Sequence, residues 1–490
     1  VVGWLLNTLY LTAAVALVPW AVWRAVRRGK RFAGFWKKLT GALTESSTSE
    51  RVIWFHAVSV GEVLQLRALI PRLMQLRPGR TILITTSTSA GHAVARQTFP
   101  DCRIDWFPFD LTFAVRRALG RVRPELVVLV ELELWPNFIR EASSAGVPLM
   151  MINGRMSERS YRGYRKLRPM IGPLLRRFSL LAMQTDLYAV RLLHLGADPE
   201  RVQITGSIKF DGVMTDRQTP QLASLRESFQ LNRPGRVFMA GSTHEPEERI
   251  VLDAFAVLQE EFPDLRLVIV PRHPERFDDV ARLIASRGFT LLRRSAPQSS
   301  GSDDASGSRR GHRPPLSADE QGSTGRAVSG RGELRTYRGS RLAPATDAAR
   351  AEASEAAGRP VCLLDTLGEL TACWGLADVA FVGGSLTERG GQNMIEPAAC
   401  GAAVIVGPNT HNFRDVVEGL SSQRAIRIIG DAGELVDAVR TLLRAPAEAA
   451  AQGAAAREFV LAQQGATERT VSLLMDLLPA DGSARPAQAA

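Results

Sequence analysis

Acids and cations in this sequence repeatedly stand where short apolar runs stop, and these are the residues whose types could do chemistry. In WFHAVSVGEV (Trp54–Val63), Glu62 follows Gly61 where the chain leaves an apolar run and enters a helical pattern. An acid in a first helical turn commonly does no more than complement the helix dipole. The same carboxylate can serve as a base when a hydroxyl comes within ~3 Å of it. In ELELWPNF (Glu131–Phe138), Glu131 and Glu133 end another apolar run and, two residues apart, lie on the same side. Acids at the end of a buried strand are costly unless a partner or ligand meets them.

Cations hold the corresponding places further on. NGRMSERSYRGY (Asn153–Tyr164) begins a stretch whose Arg155, Arg159, Arg162 and Arg165 could face a phosphorylated acceptor. GSIKFD (Gly206–Asp211) sets Lys209 in a loop after the strand-like Val202–Thr205, a setting in which lysine is usually at the surface. GSTHEPEE (Gly241–Glu248) and PRHPERF (Pro271–Phe277) both follow apolar runs. Ser242, Thr243 and His244 therefore neighbour Arg272 and His273, where a nucleotide phosphate or base edge would lie.

The stretch Ala377–Phe413 reads as strand, glycine loop, helix, strand, glycine loop. Val379–Val382 ends in Gly383-Gly384, Gly390-Gly391 opens the helix-like Gln392–Cys400, and Val404–Val406 ends in Gly407-Pro408. A lone glycine pair is more often a turn without a ligand. The full run says more, because glycines let the backbone approach a ligand and a helix start offers unpaired N–H groups to an anion. Glu396 in the first turn could accept hydrogen bonds from a ribose diol.

Such groups need a parallel sheet to position them. From Arg51, strand-like Val52–His56, Thr81–Thr85, Leu126–Val130 and Pro148–Ile152 alternate with helix-like Glu62–Leu76, Ala90–Gln97 and Pro136–Ala145. A second series runs through Val237–Ala240, Glu247–Glu261, Arg266–Val270 and Val361–Leu364. The pattern predicts an α/β protein of two facing Rossmann-like domains, residues 51–214 and 237–478, joined by a linker at 215–236. Residues 296–359 are rich in Ser, Gly, Arg, Ala and Asp and poor in apolar residues, so they read as a disordered insertion, and 479–490 as a disordered tail.

Composition narrows the partners. The 61 Lys+Arg exceed 50 Asp+Glu for a net charge of +11, which calls for an anionic partner. The basic residues form no stripe with interleaved aromatics, which argues against nucleic acid. They crowd instead behind Val1–Trp23, an uncharged segment followed by Arg24, Arg27, Arg28, Lys30, Arg31, Lys37 and Lys38 before the first acid, Glu45. Residues 1–23 thus read as a membrane-anchor helix able to span ~30 Å, with 24–50 a basic juxtamembrane segment on the cytoplasmic side. A signal peptide would have the opposite order. Cys102, Cys362, Cys373 and Cys400 make no CxxC pair and no Cys/His cluster, so buried reduced thiols are expected.

These motifs, in this order, resemble GT-B glycosyltransferases, and within them the Kdo (3-deoxy-D-manno-octulosonic acid) transferases of lipopolysaccharide assembly. The likeness runs from about Trp4 to Leu477 apart from the insertion. Residues 56–62 match the family's HxxSxGE pattern, and ELELWPN differs from its ETELWPN only at Leu132. The resemblance implies CMP-Kdo as donor and a lipid A precursor as acceptor, at the cytoplasmic face of the inner membrane. It implies Glu62 as the base, Glu131 as a transition-state or acceptor-positioning residue with Glu133 a weaker candidate, and Lys209 as a stabiliser of charge near the reacting centre. Pro271, Arg272, Leu367, Gly368, Glu369, Asn393, Met394, Ile395 and Glu396 would form the nucleotide site. No Asp-x-Asp signature precedes that site, so neither metal nor cofactor is expected, and a single nucleophilic step predicts inversion. The alternatives are a GT-B enzyme using a UDP-sugar and a catalytically silent membrane-bound scaffold.

Overall fold

The computed structural model describes residues 34–47, 49–295 and 360–479. The expected anchor 1–23, the basic segment to residue 33, the insertion 296–359 and residues 480–490 lie outside the described residues. Among the described residues, no helix is long and apolar enough to cross a membrane.

The first half is a parallel sheet of seven strands: β1 (Val52–His56), β2 (Thr81–Thr86), β3 (Arg103–Trp106), β4 (Leu126–Val130), β5 (Leu149–Gly154), β6 (Leu180–Met183) and β7 (Val202–Ile204). Their order is β3-β2-β1-β4-β5-β6-β7. The second half repeats the design with β8 (Val237–Thr243), β9 (Arg266–Pro271), β10 (Leu291–Arg293), β11 (Val361–Leu363), β12 (Val379–Val382), β13 (Ala403–Val406) and β14 (Ile426–Ile428), in the order β10-β11-β9-β8-β12-β13-β14. Strands of each sheet that flank the reversal of order send their loops apart and leave a crevice at their carboxyl ends. Those strands are β1 and β4 in one half and β8 and β12 in the other.

Continuous apolar composition explains the central strands. LVVLV of β4 is buried throughout, with Val127 and Leu129 packed in one cluster and Leu126, Val128 and Val130 in another. Helices cover both faces, so no polar alternation is needed. β12 divides in the same way, Ala380 and Val382 to one side and Val379 and Phe381 to the other.

Two segments join the halves. Helix Pro220–Ser228, within the expected linker, delivers Leu222 and Leu225 into the core of the second half. Helix Ala466–Leu477, counted with the second half on sequence, crosses back and packs Ala466, Val471 and Leu474 into a core of the first. Asp211 fixes that crossing by accepting the Gly465 N–H at 2.8 Å, and Arg80 donates to the Pro479 carbonyl at 2.7 Å.

One element differs from its expectation. The helix predicted over Gln392–Cys400 is only Ile395–Ala399. Gly390 and Gly391 both have positive φ, 87° and 78°, and lead into an irregular stretch rather than a helix start.

Candidate active site

Glu62 lies in the first turn of helix Val60–Leu76, just beyond β1. Its Oε2 accepts the Val58 N–H at 2.8 Å and its Oε1 the Ser59 hydroxyl at 2.7 Å, while Ser59 Oγ accepts the Glu62 N–H at 3.4 Å. The carboxylate thus caps its own helix and is fixed in place. Burial pushes its pKa up against these hydrogen bonds, and the charge of Glu131 adds to the rise. His56, at the start of the same motif, is a structural residue. It is fully buried and stacks on Phe107 with centroids 3.6 Å apart, and burial lowers its pKa to about 3.

Glu131 directly follows β4 with φ at 59°, a left-handed conformation uncommon for a residue other than glycine. Its Oε1 lies 2.9 Å from the donating Gln65 Nε2 and 3.4 Å from Lys209 Nζ. Lys209 sits in the short 3-10 turn Ile208–Phe210, whose Ile208 N–H donates to Asn153 Oδ1 at 3.1 Å. Asn153 is fully buried at the end of β5, has φ at 53°, and donates from Nδ2 to Gln65 Oε1 at 2.6 Å. Glu133, two residues on, has its carboxyl pushed up to about 7 by burial and then by the charges of Glu62 and Glu131. The structure therefore brings Glu62, Glu131, Glu133 and Lys209 together. Gln65 and Asn153, which hold two of them, were not singled out as site residues on sequence.

The facing side belongs to the second half. Arg272 follows β9 and is exposed. Its backbone N–H donates to Thr243 at 3.0 Å, which ties the two strand ends together. His244 and His273 lie edge to face at 5.2 Å, and burial, aided by Arg389, His273, Arg272 and Arg276, lowers the pKa of His244 to about 4. Glu396 accepts from Asn393 Nδ2 at 3.0 Å and from the Thr371 hydroxyl at 3.3 Å. Burial raises its pKa, while Arg272 and the first half's Arg67 oppose the rise. Arg67 lies on the helix that carries Glu62, close enough for its charge to act on Glu396.

Glu247, unremarked on sequence, organises this side. It is fully buried and accepts four backbone N–H groups: His244 at 2.9 Å, Gly384 at 2.7 Å, and Ser385 and Leu386 at 3.1 Å each. One carboxylate thereby fastens the loop after β8 to the loop after β12. Two of the glycines serve the same packing: a Cβ on Gly383 would meet Ser242 O at 2.5 Å, and one on Gly407 would meet Ser385 O at 2.4 Å.

Other expected residues fall differently. Glu369 is engaged by Arg294 at 2.9 Å, which holds its pKa below the usual range. Leu367 is 74% exposed, and Gly368 turns beside it at φ 85°. Pro271 is buried, and Met394 and Ile395 place their side chains in the apolar core, so only their backbones can address a ligand. Arg155, expected among residues facing an acceptor, pairs at 3.0 Å with Asp415 of the second half. Arg162 pairs with Glu158 at 2.8 Å, while Arg159 and Arg165 are exposed. Among the described residues, no group of three or more His, Cys, Asp or Glu could hold a metal ion.

Two parallel seven-stranded sheets with charged groups on both sides of the cleft are the arrangement of the GT-B fold. Residues 27–212 match the family model described as 3-deoxy-D-manno-octulosonic-acid transferase, and 374–475 match a glycosyl transferase-like model. The chain is 31% identical over 428 residues to the 3-deoxy-D-manno-octulosonic acid transferase of Haemophilus influenzae, covering 87% of each protein. It is 31% identical over 489 residues to that of Bordetella pertussis, covering 96% of this chain and 98% of the relative. This chain belongs to the Kdo transferase family. The UDP-GlcNAc 2-epimerase of Neisseria meningitidis shares the fold alone, at TM-score 0.53 and 11% identity over 87% of this chain and all of that one.

Proposed function

We propose that this Kdo transferase uses CMP-Kdo as donor and a lipid A precursor as acceptor, working at the cytoplasmic face of the inner membrane without a metal ion. The observation that carries the reading is the opposition across one cleft of a fixed, pKa-raised Glu62 and a side that holds Arg272 and Glu396. An acceptor hydroxyl oxygen attacks the anomeric carbon of the sugar as the bond from that carbon to the CMP phosphate oxygen breaks. The hydroxyl proton passes to Glu62, and the electron pair leaves with CMP. Charge builds on the departing phosphate in an oxocarbenium-like transition state. Arg272 can bind that phosphate through two hydrogen bonds, and Lys209 adds a second cation. Glu396, held by Asn393 and Thr371, takes the ribose hydroxyls. Single displacement inverts the anomeric centre. The anchor at 1–23 and the basic residues behind it would keep the cleft at the lipid surface.

The deciding experiment is transfer of radiolabelled sugar from CMP-Kdo to a defined lipid A precursor in EDTA, with CMP, UMP and GDP as competitors. Transfer that only CMP inhibits well is expected. Equal inhibition by UMP would favour a UDP-sugar donor, a strict need for Mg²⁺ would overturn the metal-free mechanism, and no transfer would leave the silent scaffold.

A further inference from the structure

Helix Val60–Leu76 carries, three residues after Glu62, a glutamine that closes a ring of contacts. Gln65 Nε2 donates to Glu131 Oε1 at 2.9 Å, and Gln65 Oε1 accepts from Asn153 Nδ2 at 2.6 Å. Asn153 Oδ1 accepts the Ile208 N–H at 3.1 Å, and the next residue, Lys209, returns to Glu131 Oε1 at 3.4 Å. Four separate pieces of the fold meet in this ring: the helix after β1, the end of β4, the end of β5 and the turn after β7. Two of its members, Glu131 and Asn153, hold left-handed φ values of 59° and 53° without being glycine, a backbone cost that surrounding contacts must offset.

We infer that Gln65 is a positioning residue, whose side-chain amide sets the Glu131 carboxylate against Lys209 and locks both to the helix that carries Glu62. An amide suits this place because it must donate to a carboxylate and accept from an amide at once. An ionised carboxylate could accept from Asn153 but would repel Glu131. A protonated carboxyl can do both, since its hydroxyl donates while its carbonyl accepts. That difference separates a positioning role from mere packing. The inference rests on the proposed function for what Glu131 and Lys209 do, while its geometry stands apart from that reading.

The test compares Gln65→Ala and Gln65→Glu in the full chain, over a range of pH, by transfer kinetics and by thermal unfolding. Gln65→Ala should lower kcat about tenfold at every pH, with KM for the donor and affinity for CMP little changed. Gln65→Glu should be the worse variant at high pH and recover toward the native rate as pH falls and its carboxyl protonates. Its melting temperature should likewise drop further below the native value as pH rises, and this trend should weaken in a Glu131→Gln background, where Glu62 and Glu133 remain as the nearby acids. Native-like turnover in Gln65→Ala, or a pH trend that Glu131→Gln leaves undiminished, would overturn the inference. A native chain that transfers nothing would instead count against the proposed function. The unfolding arm still decides on Gln65 in that case.

Discussion

The two sides of the cleft rest on the same topological device and are loaded differently. At the β1/β4 switch point, burial and then neighbouring carboxylates push up the pKa of Glu62 and Glu133, with Glu131 and Lys209 paired beside them. In the second half three acids are committed to structure, whereas Glu396 is held by the side chains of Asn393 and Thr371. Glu247 is bound by four backbone N–H groups, Glu248 pairs with Arg276 at 3.1 Å and Glu369 with Arg294. Arg272 is exposed there, with His273 half-buried beside it and His244 buried behind. A buried acid is therefore read by what satisfies it. Burial raises the pKa of Glu247 and Glu396 as it does that of Glu62, so the partners make the difference: Glu247 is wrapped in backbone N–H groups and holds loops, whereas Glu62 caps its own helix beside Glu131.

The comparison predicts that substitutions on the first side change turnover and those on the second change donor affinity. The largest effect should come from Glu62→Gln, which keeps the shape and removes the base. A general base contributes ~10²–10⁴-fold, so transfer should fall by that order while calorimetric affinity for CMP stays within about twofold. More than about a tenth of native turnover, with chemistry rate-limiting, would remove Glu62 from the mechanism.

Glu247→Ala sharpens the opposite side. It strips the acceptor from four N–H groups, each worth ~1–3 kcal/mol when left unmet in the interior, although water entering the cavity will recover part. The loops after β8 and β12 should loosen, with CMP affinity falling about tenfold, or ~1.4 kcal/mol, alongside a lower melting temperature. Unchanged CMP affinity in a folded variant would mean that these loops do not form the donor site.

Much of this was legible in the sequence, for physical reasons that differ by element. β1, β4 and β12 match their expected limits because runs buried on both faces are almost wholly apolar, His56 at the end of β1 being the exception. β3 (RIDW), β14 (IRI) and β6 (Leu180–Met183) went unassigned, being short and, in β3 and β14, broken by charged residues at a sheet edge. Glu62 and Glu131 could be found because each follows an apolar run, Glu131 directly after β4 and Glu62 in the first turn of the helix after β1. Gln65 could not, since a glutamine on a helix looks like part of a solvated face until Glu131 and Asn153 are folded against it. Glu247 hid in the same way, as an ordinary first-turn acid. The pairing of Arg155 with Asp415 spans both halves, and no local pattern announces it.

The smallest effect tests the electrostatic half of the comparison at Glu133. Its carboxyl titrates at about 7 in the folded chain against an ordinary value of 4.5. The folded state therefore holds this proton more tightly than the unfolded chain does. The resulting stabilisation is complete below about pH 4.5 and is lost as pH rises through about 7, above which the fold carries a crowded negative charge beside Glu62 and Glu131. Glu133→Gln mimics the protonated form at every pH. Its melting temperature should match the native one in acid, exceed it increasingly as pH rises from 4.5 to about 7, and hold a constant excess beyond. With partial exposure weakening the penalty, that excess corresponds to roughly 2 kcal/mol, or about 4 °C. A difference that is flat with pH would show that Glu133 is ionised throughout, and the raised pKa would then belong to Glu62 alone on this side of the cleft.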